Sequence, residues 1–230
     1  MSPTQIVSPQ EVSMDTLMKS TADLIAQPTS LFALLAVLIL ILGYLQMRRI
    51  HFTTHMLISV ALMLALTIVL HQLRIFHMPQ GGSVTIGGMI PLLFLTYRYG
   101  AGIGCLAGFL YGMINLMQDA FILHPLQVLF DYPLPYMALA IAAAVPGRIF
   151  TGAALAFAAR FACHFISGAV FFGSYAPEGM SPYLYSLVFN ATYLVPEAVI
   201  CFILLRVLPV PRLLAAMDRQ TPLYGAKLTL

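Results

Sequence analysis

Long apolar stretches broken by short polar ones dominate the pattern along the chain. Seven stretches approach or reach the length of a membrane crossing, at roughly 31–47, 54–74, 85–97, 100–118, 125–146, 149–172 and 182–208. A helix needs about 20 apolar residues to cross the hydrocarbon core, so the third stretch is short and reads as tilted, broken or partly re-entrant. No segment alternates with period two over about ten residues, which leaves a transmembrane barrel unsupported. Residues 1–30 are polar and rich in Ser, Thr, Pro and Gln and read as an extracellular tail. The first apolar stretch begins too far along to be a signal peptide and ends in Arg48-Arg49, so it reads as a retained helix.

Composition agrees with this reading. Of 230 residues, 60% are hydrophobic and 8% charged, against about 25% charged in soluble domains. Mean hydropathy is +0.91. A soluble globule and nucleic-acid binding are excluded. Of the 11 basic residues, an outside N-terminus and seven spans put Arg48, Arg49, Arg98, Arg148, Arg206, Arg212, Arg219 and Lys227 inside. Lys19 and Arg74 fall outside and Arg160 falls within a span. That bias fixes the expected orientation, with the C-terminus cytoplasmic. The three cysteines, Cys105, Cys163 and Cys201, lie in apolar runs and read as buried small residues. His51 and His55 read as interfacial, and no metal site or cofactor is expected.

Gly100, Gly104, Gly108 and Gly112 make a smooth ridge suited to close helix packing. Ala61 and Ala65 make a weaker pair of the same kind. Ionisable groups at membrane depth mark function by default. At about 1.5 Å per residue, Asp131 lies roughly 9 Å below the outer end of its helix, and His164 and Asn190 roughly 12 Å below theirs. Tyr185 lies nearer the mouth. Helical phase groups His164 with Ser167 and Gly168, and Ser186 with Asn190, Tyr193 and Glu197; Gln127 and Asp131 are one turn apart. Pro133 and Pro135 break the helix just beyond. Together these residues suggest the wall of an outward-facing pocket. The same groups also suit mutual hydrogen bonding that fixes packing, or a proton relay. Arg160 and Glu197 are deeper and are expected to form a buried ion pair beneath the pocket. No phosphate-binding loop and no nucleophile elbow is present.

Three strings carry a family resemblance: MPQGGSVTI, HPLQVLFDYPL and RFACHFISGAVFFGSYAPEGMSPYLYSLVFNATYLVP. Over about residues 55–215 the chain resembles the thiamine-specific substrate-binding subunits (S components, the ThiT family) of energy-coupling factor transporters. The resemblance implies an all-α membrane fold with a six-helix S-component bundle over 51–215. The helix at 31–50 would be additional, and 216–230 a cytoplasmic tail. It implies a substrate site of Asp131, Tyr132, His164, Phe172, Tyr185, Asn190 and Phe121, under a lid containing Gln80, Gly81, Gly82 and Ser83. Asp131 stands where some members have Glu. Phe172 stands where some have Trp, of which this chain has none. Implied partners are thiamine, a transmembrane coupling subunit, two cytoplasmic ATPases and the bilayer of a bacterial plasma membrane. The chain would bind and transport rather than catalyse. The alternatives are an S component for a precursor such as hydroxymethylpyrimidine, an intramembrane enzyme using Asp131 and His164, and a purely structural subunit.

Overall fold

The computed structural model describes residues 28–217 except Arg49. The expected tail at 1–27, the basic residues Lys19, Arg219 and Lys227, and most of the C-terminal tail lie outside the described residues. The elements in chain order are α1 (Pro28–Met47), α2 (Thr54–Gln72), β1 (Arg74–His77), β2 (Ser83–Thr85), α3 (Ile90–Tyr99) and α4 (Ala101–Gln118). Then come α5 (Pro125–Asp131), α6 (Pro133–Met137), a 3-10 segment (Ala138–Ala144), α7 (Ile149–Phe171), α8 (Pro182–Val207) and α9 (Val210–Met217). The fold is that of an all-helical membrane protein. Among the described residues, five segments are long and apolar enough to cross a bilayer: 54–72, 101–118, 125–144, 149–171 and 182–207. Exposed Leu57, Leu62 and Val69 on α2, and Val195, Val199 and Ile203 on α8, supply lipid-facing surface.

Two expected spans differ. The stretch 85–97 becomes a helix only at Ile90, because Ser83–Thr85 pairs antiparallel with Arg74–His77 in a hairpin. The alternation there is too short to register as strand pattern. The resulting α3 has 10 residues, about 15 Å of rise, half of a hydrocarbon core of about 30 Å. It is nonetheless buried from Ile90 to Arg98, at the centre of the main apolar cluster with Ile103, Tyr111, Ala156 and Leu205. The stretch 125–146 is three pieces, not one helix. Pro133 and Pro135 cannot donate backbone hydrogen bonds, so the helix restarts after Asp131 and tightens to 3-10 after Met137. The short α9 after Pro209 was not anticipated. Its C-terminal residue ties back to α2, where Ser59 Oγ donates to Met217 O at 3.0 Å.

The glycine ridge packs within the molecule. A Cβ at Gly112 would sit 2.6 Å from Tyr132 O and 2.7 Å from Pro133 Cα, and one at Gly108 would strike Tyr136 O. The broken segment 132–140 therefore lies directly on α4, backbone against backbone. Ala61 and Ala65 are exposed on α2 among the described residues. The additional helix α1 packs on α4, α5 and α6.

Gly108→Val is expected to force α4 away from the broken segment and cost about 1–3 kcal/mol. Thermal unfolding in detergent should then shift down by several degrees; an unchanged midpoint would contradict the packing described.

Candidate functional site

The broken segment places Asp131 at the end of α5, facing α7 and α8. Gln127, one turn earlier, donates from Nε2 to Asp131 Oδ2 at 2.6 Å and to Phe121 O at 3.0 Å. Its Oε1 accepts from Leu123 N at 3.0 Å. Gln127 thus locks the loop before α5 to the carboxylate. The other carboxylate oxygen lies 3.3 Å from His164 Nδ1. Against an ionised carboxylate Nδ1 carries the proton, which leaves Nε2 as a lone-pair acceptor. That Nε2 is buried and has no partner among the described residues.

A small cavity of about 70 Å³ collects these groups. All of the residues expected at the site line it: Asp131, Tyr132, His164, Phe172, Tyr185, Asn190 and Phe121, and from the hairpin turn Gln80, Gly81, Gly82 and Ser83. They do different work. Phe121 and Phe172 stack with centroids 5.8 Å apart, and Tyr175 meets both rings, so an aromatic cluster stands at one side. Tyr185 leans on Phe189 at 5.6 Å. Tyr132 OH accepts from Phe121 N at 2.6 Å and donates to Asp119 O at 2.9 Å, which makes it a brace for the loop carrying Phe121. Asn190 spends its amide inside the protein, donating to Ser186 O and His164 O and accepting from Tyr193 OH at 2.8 Å. It pins α8 to α7 and fixes the Tyr193 ring in the wall.

The hairpin closes over this wall. Gly81 and Gly82 have φ of +91° and +92°, backbone that only glycine adopts freely. A Cβ on Gly82 would lie 2.8 Å from the Tyr193 ring, so the turn presses directly on it. At the mouth Arg74 Nη1 pairs with Asp119 Oδ2 at 2.8 Å, and His77 Nδ1 lies 2.9 Å from Ser83 Oγ.

The expected Arg160–Glu197 ion pair does not form. Both oxygens of Glu197 are taken by Thr85, which donates from its backbone N–H and, at 2.7 Å, from its hydroxyl. Glu197 therefore anchors β2 to α8. Arg160 lies one turn from His164 on the same face of α7, so its side chain turns into the same cavity rather than beneath it. Its guanidinium carbon stands 5.0 Å from the centre of the Tyr136 ring, a cation–π contact. Its Nε and Nη1 have no hydrogen-bond partner among the described residues.

The floor holds groups that sequence reasoning did not single out. Tyr136 OH donates to Asn115 Oδ1 at 3.1 Å, and Asn115 Nδ2 lies 3.2 Å from His71 Nε2. Asn115 and His71 each stand alone in an apolar run, so no spacing marks them; only their depth, in hindsight, was a signal.

Comparisons with known proteins agree with this architecture. A family model described as thiamine transporter protein matches residues 57–215, which leaves α1 outside it. The thiamine transporter ThiT of Bacillus subtilis (strain 168) is 38% identical over 183 residues, covering 69% of this chain and 93% of that protein. The thiamine transporter ThiT of Lacticaseibacillus paracasei is 30% identical over 156 residues, covering 58% and 78% respectively. A solved structure of ThiT from Listeria monocytogenes shares the fold, with a TM-score of 0.57 at 24% identity over 69% of this chain and 96% of that one. The chain therefore belongs to the thiamine transporter family and is a multi-pass membrane protein.

Proposed function

We propose that the cavity binds thiamine from outside the cell and that the chain is the substrate-binding subunit of an energy-coupling factor transporter. The observation that carries this reading is a carboxylate, Asp131, held in the cavity beside aromatic rings and unpartnered polar atoms. Arg160 also lines the cavity but is turned onto the Tyr136 ring and makes no ion pair with Asp131 among the described residues. Arg74 and Asp119 pair with each other at the mouth. A site of this kind favours a ligand carrying a single positive charge, as the thiazolium ring of thiamine does.

The remaining chemistry suits the same ligand. Phe121 and Phe172, which line the cavity and are backed by Tyr175, offer aromatic surface to a cationic heterocycle, at about 0.5–2 kcal/mol per contact. His164 Nε2 is an acceptor for an exocyclic amino group, and the free N–H groups of Arg160 are donors for ring nitrogens. Hydroxymethylpyrimidine would use the second set but bring no cation to Asp131. The hairpin carrying Gln80–Ser83 would act as the lid.

Transport then needs a motor, since this chain carries no nucleotide-binding loop. The exposed Ala61–Ala65 face on α2 is a smooth surface at membrane depth, and α1 packs on the far side against α4, α5 and α6 without covering it. A transmembrane coupling subunit would dock there, linked to two cytoplasmic ATPases. The distribution of Arg and Lys supports an outside N-terminus and a cytoplasmic C-terminus in a bacterial plasma membrane.

Calorimetric titration of ligand-free protein with thiamine should give one site per chain. Asp131→Asn should weaken it by about 2 kcal/mol, roughly thirty-fold, and Asp131→Glu should restore most of the loss. Equal affinity in the Asn variant would remove Asp131 from the site. In cells, Ala61→Phe should abolish uptake of labelled thiamine while leaving binding by the purified protein intact; unimpaired uptake would reject docking on that face.

A further inference from the structure

A larger space lies away from the cavity around Asp131. It is an open groove of about 610 Å³ between α1 and the face made by α4, the 130–144 segment and α7. Its walls are apolar, from Leu35 and Leu42 on α1 to Cys105, Ala144, Ala162 and Ile166 opposite, with the amide of Gln46 at one end. We propose that this groove is a specific phospholipid site, in which one acyl chain of an anionic lipid lies along α1 and Arg48 and Arg148 hold the headgroup phosphate.

The dimensions select the occupant. Lining residues on α1 run from Leu35 to Gln46, a rise of about 16 Å, close to one leaflet of a core of about 30 Å. The slot is pinched where α1 touches its neighbours: Gly43 against Met137, and Gln46 O against Gly102. A flexible hydrocarbon chain can follow a slot interrupted by such contacts, which a straight helix of about 10–12 Å diameter cannot. The alanines of the 138–144 segment and α7 give it width without polar groups.

Charge selects the headgroup. Arg48 follows Gln46 by two residues, and Arg148 follows Ala144 by four, so both stand at the same end of the groove. Both are exposed, and neither has an ion-pair partner among the described residues. Two unpaired cations where an apolar slot meets the interface suit a phosphate carrying net negative charge. The groove also backs the wall of the other cavity: Phe130 and Cys163 line it, while their sequence neighbours Asp131 and His164 face the opposite way.

Native mass spectrometry of the full chain tests the site, with phosphatidylglycerol and phosphatidylcholine supplied at equal concentration. One phosphatidylglycerol per chain should be retained, with at least fivefold preference over phosphatidylcholine. Ala162→Phe and, separately, Ala144→Leu should lose that adduct while their thermal midpoints stay within a few degrees of the parent. Arg48→Gln combined with Arg148→Gln should keep an adduct but lose the preference. A parent protein that retains no lipid, or takes both lipids equally, would overturn the proposal. So would retention of the adduct in both groove-filling variants.

Discussion

A carboxylate held at membrane depth is the constraint around which the rest is arranged. Asp131 keeps 18% of its side-chain surface exposed, and that only to the cavity. Burying such a charge is costly unless hydrogen bonds and a counter-charge compensate it. Gln127 and His164 supply the hydrogen bonds. No guanidinium or ammonium group pairs with Asp131 among the described residues, since Arg160 is turned toward the Tyr136 ring. A cationic ligand in the cavity would supply that counter-charge.

Holding Asp131 there requires a break in the helix, and a break exposes backbone that lipid cannot hydrate. The glycine ridge of α4 answers this by bringing helix backbone against the 132–140 segment, covering it with protein. Bulkier residues at Gly108 or Gly112 would open that seam. The buried α3 and the hairpin before it complete the packing from the other side, with Thr85 fastened to Glu197. Site and scaffold therefore share the same few contacts.

Much of this was legible in the sequence because membrane depth can be counted. Asp131, His164, Tyr185 and Asn190 come from three spans, yet rise per residue alone places them in one layer, and the structure brings them to one cavity. The glycine spacing foretold the seam, and Pro133 with Pro135 foretold the broken helix. Depth could not tell where a long side chain turns, so Arg160 and Glu197 were paired by height when each had a nearer partner. Thr85, the partner of Glu197, sat in what read as a helix. A three-residue strand carries too little alternation to be seen, and isolated polar residues such as His71 and Asn115 gain meaning only when tertiary structure joins them. Asn190 and Tyr132 line the cavity but serve as braces, a distinction that hydrogen-bond partners reveal and sequence does not.

The claim that the site is built to neutralise one positive charge is tested most directly by a thermodynamic cycle. Thiamine and an uncharged analogue, with the thiazolium replaced by a neutral ring of the same shape, would each be titrated into the parent and into Asp131→Asn. If Asp131 balances the ligand's charge, the parent should prefer thiamine by tenfold or more and the Asn variant should lose most of that preference, a coupling of about 1.4 kcal/mol or greater. Equal affinity of the parent for both compounds would contradict it, as would a preference for thiamine that survives the substitution unchanged.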